Sequence, residues 1–200
     1  MARESSAQTE YWDMNPSLVT IVSIGSIVTF MVVAQVSRAR GLVRRGETVA
    51  RSGGLAHYVA YFFFVPYIVI AVRPGPELDM PDLLRWIGLA LIVAGVGFSL
   101  WAIATLGRHY DLELEIHRDH ELVRRGPYRF VRHPVYTGLG LHFLGACLAT
   151  GNLLLIAGTL LVTFPALYLR AKTEERLLRE RFGAAYDEYA RRVGMLVPLL

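Results

Sequence analysis

Long apolar runs with almost no charge constrain the fold of this 200-residue chain more than any other feature. The first run, 17–36, has 20 uncharged residues, and a helix rising about 1.5 Å per residue would cross the roughly 30 Å hydrocarbon core of a bilayer with that length. Four similar runs follow, at 55–72, 83–106, 135–150 and 153–169. The hydrophobic content of 54% and the mean hydropathy of +0.38 agree with a chain that crosses a membrane. The sequence therefore predicts an all-α integral membrane protein, a single membrane domain over residues 1–200 with five transmembrane helices.

The last two runs are short, and only Gly151-Asn152 separates them. They barely reach across a bilayer, which favours a tight antiparallel hairpin of helices. Small residues in the fourth run would let another helix approach closely. These are Gly138, Gly140, Gly145, Ala146 and Ala149. The single cysteine, Cys147, excludes an intramolecular disulfide and is interpreted as a small buried hydrophobe.

Lysine and arginine are concentrated in three segments beside the apolar runs. Residues 37–54, 107–134 and 170–200 hold five, six and seven of them, whereas the N-terminus and the loop 73–82 hold one each. Because basic loops stay on the cytosolic side, five spans predict an N-terminus outside and a cytosolic C-terminus. The net charge of +4 therefore indicates contact with anionic lipid headgroups and no nucleic-acid partner. Residues 1–16 lack the pattern of a cleaved signal peptide.

The tail, 171–192, has the spacing of an amphipathic helix. Its aromatic and apolar residues recur every three or four positions, as Leu178, Phe182, Tyr186 and Tyr189 show. Gly183 is expected to interrupt the helix. The aromatic face favours a helix that lies at the membrane interface or packs beneath the bundle.

The segment 126–136 combines two prolines, three aromatics, two arginines and a histidine. Proline is favoured in the first turn of a helix, so the fourth helix is predicted to begin at Pro134 with free N–H groups directed at the preceding linker. Such a helix end attracts a carboxylate or phosphate, and Arg132 adds positive charge there. Tyr128 and Tyr136 offer ring faces to a nucleobase or a cation. The segment is interpreted either as a ligand site or as a membrane boundary with arginine and tyrosine anchors.

Arg170 and Glu174 stand four residues apart where the fifth run ends. On a helix this spacing places both side chains on one face. One interpretation is an ordinary surface ion pair. The other is a site in which Arg170 captures an acidic group of an amphiphilic substrate and Glu174 orients it, because charges at a membrane boundary are often functional.

Several common sites are not predicted. The linker histidines His117, His120 and His133 lie near acidic residues but lack H-E-x-x-H or C-x-x-C spacing, so no metal site is expected. No G-x-G-x-x-G follows a strand, which argues against a Rossmann cofactor site. No G-x-S-x-G or Ser/His/Asp order stands out either.

These residues together resemble the integral-membrane methyltransferases typified by isoprenylcysteine carboxyl methyltransferase, with phospholipid N-methyltransferases as relatives. The similarity covers roughly Leu106 to the C-terminus, and its specificity lies in the joint spacing of the elements. In chain order these are His120-Glu121-Leu122-Val123, Gly126-Pro127-Tyr128, Arg132-His133-Pro134-Val135-Tyr136, Arg170 with Thr173-Glu174-Glu175, and Phe182-Gly183-x-x-Tyr186-x-x-Tyr189. The first hundred residues match no motif of that family.

By that resemblance the cofactor is S-adenosylmethionine, held without a Rossmann domain in a cytosolic pocket formed by about 107–136 and 170–200. The positions that the resemblance, together with the charge of Arg132, assigns to cofactor binding are Glu113, His120, Glu121, Leu122, Val123, Tyr128, Arg132, His133, Pro134, Val135 and Tyr136. Arg170 and Glu174 fall on the family's acceptor-binding and catalytic positions.

The resemblance implies direct in-line methyl transfer with S-adenosylhomocysteine as product. A carboxylate acceptor of the isoprenylcysteine type is favoured because Arg170 would suit an acid, and a lipophilic tail would enter from the bilayer. A phospholipid amine and a small thiol remain open as acceptors. The alternative from another class is a non-catalytic, lipid-binding membrane scaffold.

Overall fold

The computed structural model describes residues 16–42, 48–51, 66, 69–70, 75–107, 115–117 and 122–198. In chain order the elements are α1 (Pro16–Leu42), β1 (Thr48–Arg51), α2 (Asp82–Leu106), β2 (Glu115–His117), α3 (Pro134–Thr150), α4 (Leu153–Phe182) and α5 (Ala184–Arg192). A 3₁₀ turn at Gly126–Arg129 precedes α3. The described residues are thus overwhelmingly helical, as predicted, with one short two-stranded ribbon that the sequence did not indicate.

Three described helices are long and apolar enough to cross a membrane: Ser17–Ser37, Asp82–Leu106 and Leu153–Phe182. They contain the predicted first, third and fifth spans, and the chain is a multi-pass membrane protein. The predicted fourth span is α3, which has 17 residues and is at the short limit for crossing a bilayer. The predicted second span, 55–72, lies outside the described residues except for 66, 69 and 70. The count of five spans therefore stays a prediction.

Among the described helices, α2 and α3 make the closest contact. A Cβ added at Gly95 would overlap the backbone carbonyl of Gly138, and one added at Gly88 would overlap that of Gly145. On each helix the two glycines are seven residues, or about two turns, apart. The two helix backbones therefore touch at two points along the crossing. The small residues of the fourth predicted span do allow close approach, as expected, and the helix that approaches is α2.

Gly151 and Asn152 form the turn between α3 and α4. Gly151 ends α3 in the left-handed conformation, with a φ of 65°. The side-chain oxygen of Asn152 accepts a hydrogen bond from the Leu155 N–H at 3.0 Å and thereby caps α4. The close backbone contact of α3 is with α2. The predicted tight hairpin of the last two spans, α3 and the first part of α4, therefore stays a prediction.

The fifth predicted span and the first part of the predicted tail form one helix, α4. No glycine or proline occurs between residues 166 and 182 to end it. A π-helical turn at Thr159–Thr163 precedes Pro165, which has no N–H to donate to the preceding turn. Gly183 then adopts a φ of 50° and separates α4 from α5, which confirms the predicted interruption.

The described parts of the three basic segments contact one another at one end of the bundle. β1, in the segment 37–54, pairs antiparallel with β2 in the linker. Val131, at the end of the linker, forms a bridge with Gly194 in the tail. At the other end, the Leu78 N–H donates to the Gly151 carbonyl at 2.9 Å and joins the loop 73–82 to the α3–α4 turn. This arrangement agrees with the predicted placement of the basic segments on one side of the membrane.

Candidate functional site

The start of α3 is held against the end of α2. Pro134 is the first residue of α3, as predicted. The Ser99 hydroxyl of α2 donates to the Val135 carbonyl at 3.0 Å. Gly126, in the turn before α3, has a φ of 59°, and a Cβ there would approach the Thr105 hydroxyl of α2 to 2.8 Å. The segment that the sequence singled out therefore lies against a long apolar helix at both ends, and a hydrogen bond joins the two at Val135.

A short C-terminal segment, 193–196, crosses the start of α3 and is called the C-terminal strap. It accepts three hydrogen bonds from the start of α3: from the Arg132 N–H to the Gly194 carbonyl (2.8 Å), from the His133 N–H to the Met195 carbonyl (3.0 Å) and from the Thr137 hydroxyl to the Leu196 carbonyl (2.7 Å). The strap therefore binds the N–H groups of Arg132 and His133, which precede α3, and the free N–H groups expected in the first turn of α3 stay a prediction.

His133 lies buried between two carboxylates of α4. Its Nδ1 is 3.5 Å from Oε2 of Glu174, and its Nε2 is 3.5 Å from Oε1 of Glu175. These distances are long for hydrogen bonds, so charge contributes much of the attraction. The Tyr136 ring stacks on the imidazole with centroids 5.7 Å apart and an angle of 13° between the planes. Two predicted cofactor residues, His133 and Tyr136, thus meet the predicted catalytic residue Glu174.

Arg132 is paired with a carboxylate of the protein itself. Its Nε and Nη2 lie 2.7 Å and 2.5 Å from Oε1 of Glu175. Its Nη1 donates to the backbone carbonyls of Ala190 and Val193. The other oxygen of Glu175 lies 3.3 Å from Nη2 of Arg179. The positive charge that the sequence assigns to a ligand is therefore already neutralised, and the pair links α3, α4 and the C-terminal strap.

The charged part of α4 lies beyond the predicted span 153–169, and there the groups shift one another's titration. Burial by itself lowers the pKa of His133, but the hydrogen bonds and charges of Glu174 and Glu175 outweigh it and raise the pKa above the usual 6.5. Burial raises the pKa of Glu175, yet His133 and Arg132 bring it down to about 2. The carboxylate of Glu175 is therefore ionised at neutral pH, and a larger fraction of His133 is protonated than for a free imidazole.

Arg170 is buried beside the same cluster, with 7% of its surface exposed. Its Nε donates to the Tyr136 hydroxyl at 3.0 Å, and its guanidinium carbon lies 6.0 Å from the centre of that ring. Glu174 follows one turn later and contacts His133. The two predicted catalytic residues therefore both reach the first turn of α3. A buried arginine at the end of an apolar helix is uncommon and marks a functional candidate.

The remaining predicted residues are less closely joined to this cluster. Tyr128 is buried, and its backbone carbonyl accepts a hydrogen bond of 2.6 Å from the Tyr189 hydroxyl of α5. Leu122 and Val123 are half-buried in the segment that leads to the 3₁₀ turn. Three predicted cofactor residues lie outside the described residues: Glu113, His120 and Glu121. In the part of the chain that the structure describes, no three His, Cys, Asp or Glu side chains gather as metal ligands would.

Glu175 is the member of the cluster to which sequence reasoning gave no role. It belongs to the Thr173-Glu174-Glu175 motif, and its spacing of four residues from Arg179 was a local indication of an ion pair. Its main partner, Arg132, is 43 residues away in sequence. A contact over that distance leaves no periodic pattern.

Known families and proteins show clear similarity to the chain. The phospholipid methyltransferase family matches residues 83–185. A protein of Oryza sativa subsp. indica, named probable protein-S-isoprenylcysteine O-methyltransferase, is 32% identical over 127 residues, which are 62% of this chain and 66% of the rice protein. Methanethiol S-methyltransferase 1 of Bradyrhizobium diazoefficiens is 43% identical over 145 residues, which are 63% of this chain and 47% of the bacterial protein. The chain thus spans about two thirds of the one relative and about half of the other.

A solved structure has a similar fold. The eukaryotic intramembrane Ras methyltransferase, isoprenylcysteine carboxyl methyltransferase, aligns with a TM-score of 0.54 at 24% sequence identity. The aligned part is 82% of this chain and 52% of the other. The likeness supports the membrane-embedded helical architecture of the chain.

Proposed function

The chain belongs to the phospholipid methyltransferase family, and from that premise we propose that it is an S-adenosylmethionine-dependent methyltransferase with a membrane-embedded or amphiphilic acceptor. The favoured acceptor is the carboxylate of an isoprenylcysteine-like molecule. The name of the rice relative supports this acceptor, since that protein is called an isoprenylcysteine O-methyltransferase.

One observation carries the proposal: a buried arginine and a buried imidazole–carboxylate cluster meet at the end of a membrane helix. Arg170 follows directly on the apolar run of α4 and donates to Tyr136, which stacks on His133. Glu174 contacts the same imidazole. Burial of several charges is costly even when they are paired, and charged residues of membrane helices are therefore functional candidates. A fold that only anchored itself in lipid would place these groups at the surface.

The chemistry of this cluster fits S-adenosylmethionine. When bound, that cofactor supplies a methyl group on a cationic sulfonium, and it also carries a carboxylate and an adenine ring. Glu174, whose side chain is 36% exposed, offers negative charge toward a sulfonium. Tyr136 offers a ring, and the buried Nε2 of His133 has only a long contact of 3.5 Å with Oε1 of Glu175 among the described residues. Glu113, His120 and Glu121 are proposed to complete the pocket, together with Leu122, Val123, Tyr128, Pro134 and Val135.

The same residues would bind and orient an anionic acceptor. A carboxylate is already ionised at neutral pH, so no residue needs to accept a proton from it. Arg170 would attract the acceptor carboxylate, and Tyr136 would hold the guanidinium in place through its hydroxyl. The rate would then depend mainly on positioning the nucleophile in line with the methyl group. Exclusion of water at the membrane boundary would strengthen each charge interaction.

A small thiol is a second candidate acceptor, and one observation favours it. The bacterial relative with 43% identity is named a methanethiol S-methyltransferase. A thiol, unlike a carboxylate, must lose a proton before it attacks, since its ordinary pKa is near 8.5. That proton would be lost to solvent, because the thiolate is the attacking form. Transfer to a thiol should therefore quicken between about pH 6 and pH 8, whereas transfer to a carboxylate should not.

The location of the site in the membrane is part of the proposal. The described parts of the three basic segments share one end of the bundle, and basic segments stay in the cytosol. The cofactor would therefore enter from the cytosol, with the N-terminus outside and the C-terminus inside. The acceptor's lipophilic part would approach through the bilayer, and the exposed cations of the tail would contact anionic lipid headgroups.

A methyl-transfer assay on purified full-length protein in detergent tests the proposal. Radiolabelled S-adenosylmethionine is offered with a farnesylcysteine analogue, a phosphatidylethanolamine or methanethiol, and the labelled product is counted. We expect transfer to the prenylcysteine carboxylate and its loss in His133→Ala. The exposed Arg192→Gln variant is the matched control and should retain full activity, because Arg192 pairs only with the neighbouring helix residue Glu188 in the described structure.

The scaffold alternative makes the opposite prediction. A protein that only binds lipid should show no calorimetric binding of S-adenosylmethionine, and His133→Ala should change nothing. That pair of results would refute the methyltransferase proposal. Transfer to methanethiol alone would instead replace the carboxylate acceptor by the thiol.

A further inference from the structure

Two adjacent carboxylates of α4 contact the same imidazole, but their surroundings differ. The side chain of Glu174 is 36% exposed, whereas that of Glu175 is 6% exposed. Glu175 binds Arg132 through one oxygen and Arg179 through the other. A buried carboxylate between two arginines has no capacity left for a ligand. Its position beside His133 therefore calls for a role other than binding cofactor or acceptor.

We propose that Glu175, acting through Arg132, is a positioning residue that fixes the His133 ring and holds the C-terminal strap across the start of α3. This inference rests on the proposed function, because His133 is placed there in the cofactor pocket. Glu175 would touch neither the cofactor nor the acceptor. Its effect on methyl transfer would come from the orientation and the charge of the imidazole.

The hydrogen bonds of Arg132 show how one ion pair serves both purposes. Nε and Nη2 of Arg132 bind Glu175, while Nη1 donates to the carbonyls of Ala190 and Val193. The guanidinium thus joins α4 to the end of α5 and to the first residue of the strap. Planar guanidinium groups suit such multiple contacts because their donors have a fixed geometry. Loss of the carboxylate would leave this buried cation unpaired, which is costly.

Charges reach His133 from each element that packs against it. The ionisable groups of the cluster are Arg132 before α3, Tyr136 in α3, Arg170, Glu174, Glu175 and Arg179 in α4, and Tyr186 in α5. Glu174 and Glu175 stabilise the protonated ring. Arg132 pairs with Glu175 and so weakens the electrostatic attraction between that carboxylate and the protonated ring.

This arrangement predicts opposite titration shifts for the two members of one ion pair. Glu175→Gln removes a negative charge next to the ring, so the pKa of His133 should fall by about one unit or more. Arg132→Gln removes the cation that competes for Glu175, so the pKa of His133 should rise. Simple loosening of the structure would act differently, because it would move the pKa toward the value of a free imidazole in both variants.

Nuclear magnetic resonance of full-length protein labelled in its histidine rings measures this titration without any ligand. The His133 signal is assigned by its loss in His133→Gln. Both variants should also unfold at lower temperature, and kcat/KM should fall roughly 10- to 100-fold because the ring is displaced. Arg192→Gln, which breaks an exposed ion pair, is the matched control and should change none of the three measurements.

Shifts in the same direction for Glu175→Gln and Arg132→Gln, or no shift in either, would overturn the inference. Failure of the proposed function would look different. If wild-type protein bound no S-adenosylmethionine and transferred no methyl group, the methyl-transfer role of Glu175 would fall with it, although opposite titration shifts would still establish its control of His133. Normal methyl transfer in Glu175→Gln would overturn the inference and leave the proposed function intact.

Discussion

Nδ1 of His133 lies 3.5 Å from Oε2 of Glu174, and this contact joins the first turn of α3 to the charged end of α4. Glu174→Gln should therefore lower the pKa of His133 and weaken S-adenosylmethionine binding by roughly 10- to 150-fold, since a hydrogen-bonded charge is worth roughly 1.5–3 kcal/mol. Calorimetry on purified protein measures the affinity. Glu180→Gln is the control, because Glu180 is an exposed acid on the same helix. Equal affinities of the two variants would contradict the role of Glu174.

Arg170 should affect the acceptor much more than the cofactor. Its guanidinium is buried and held by Tyr136, at the point where α4 leaves its apolar run. Arg170→Ala should reduce kcat/KM for a carboxylate acceptor at least 100-fold, which corresponds to about 2.7 kcal/mol of lost transition-state stabilisation. Binding of S-adenosylmethionine should stay within about twofold of wild type.

Lys172→Ala provides the matched control for that experiment. Lys172 is an exposed cation two residues away on the same helix, where its ammonium lies 5.4 Å from the Tyr168 ring centre. Lys172→Ala should leave both kcat/KM for the acceptor and the binding of S-adenosylmethionine unchanged. If Arg170→Ala weakened cofactor binding as much as acceptor use, the assignment of Arg170 to the acceptor would be wrong.

The stability of the protein should depend on pH through His133. Its folded-state pKa is raised above 6.5 by Glu174 and Glu175, despite burial. The resulting stabilisation is complete below the unfolded pKa and is lost as pH rises through the folded pKa. Glu175 acts in the other direction, because its pKa of about 2 makes its contribution complete above 4.5 and lost as pH falls toward 2. The transition temperature should therefore decline as pH rises above 6.5.

Thermal unfolding in detergent between about pH 5 and pH 9 checks this dependence. His133→Gln should abolish the decline above pH 6.5 that is expected for wild type. It should also melt at a lower temperature near pH 5, where the protonated ring would otherwise pair with both carboxylates. Identical slopes for wild type and His133→Gln would show that another group controls stability in this range.

Local patterns in the sequence predicted the helices and several of their ends. Apolar runs located α1, α2 and α4, and the special backbone properties of proline and glycine located the start of α3 at Pro134 and the break at Gly183. These signals depend on a residue and its near neighbours. They are therefore readable without knowledge of what packs against the helix.

The partners of the site residues could not be predicted in the same way. The sequence indicated Arg132 as a charge for a ligand, and the structure pairs it with Glu175, 43 residues away. The strap at 193–196 binds the start of α3 through backbone carbonyls, and backbone groups carry no residue-type signal. Only the joint resemblance to a known family brought Arg170 and Glu174 together with His133. The distances among them depend on how α3 and α4 cross.

Gly95 should be far less tolerant of alanine than Gly97, although both lie in α2. A Cβ at Gly95 would overlap the Gly138 carbonyl and the His142 N–H of α3, whereas a Cβ at Gly97 would meet nothing within 4 Å. Gly95→Ala would push α3 away from α2, and overpacking of this kind costs roughly 1–3 kcal/mol. Gly97→Ala should be neutral or slightly stabilising, because alanine is the better helix former. Thermal unfolding in detergent compares the two variants.

The displacement of α3 in Gly95→Ala should also affect the candidate site. Ser99, one helical turn after Gly95, donates to the Val135 carbonyl at the start of α3, so a shift of α3 would disturb this bond and the adjacent His133. Gly95→Ala should therefore weaken S-adenosylmethionine binding as well as stability, while Gly97→Ala should change neither. Equal stability and equal cofactor affinity in the two variants would show that the close crossing of α2 and α3 does not position the site.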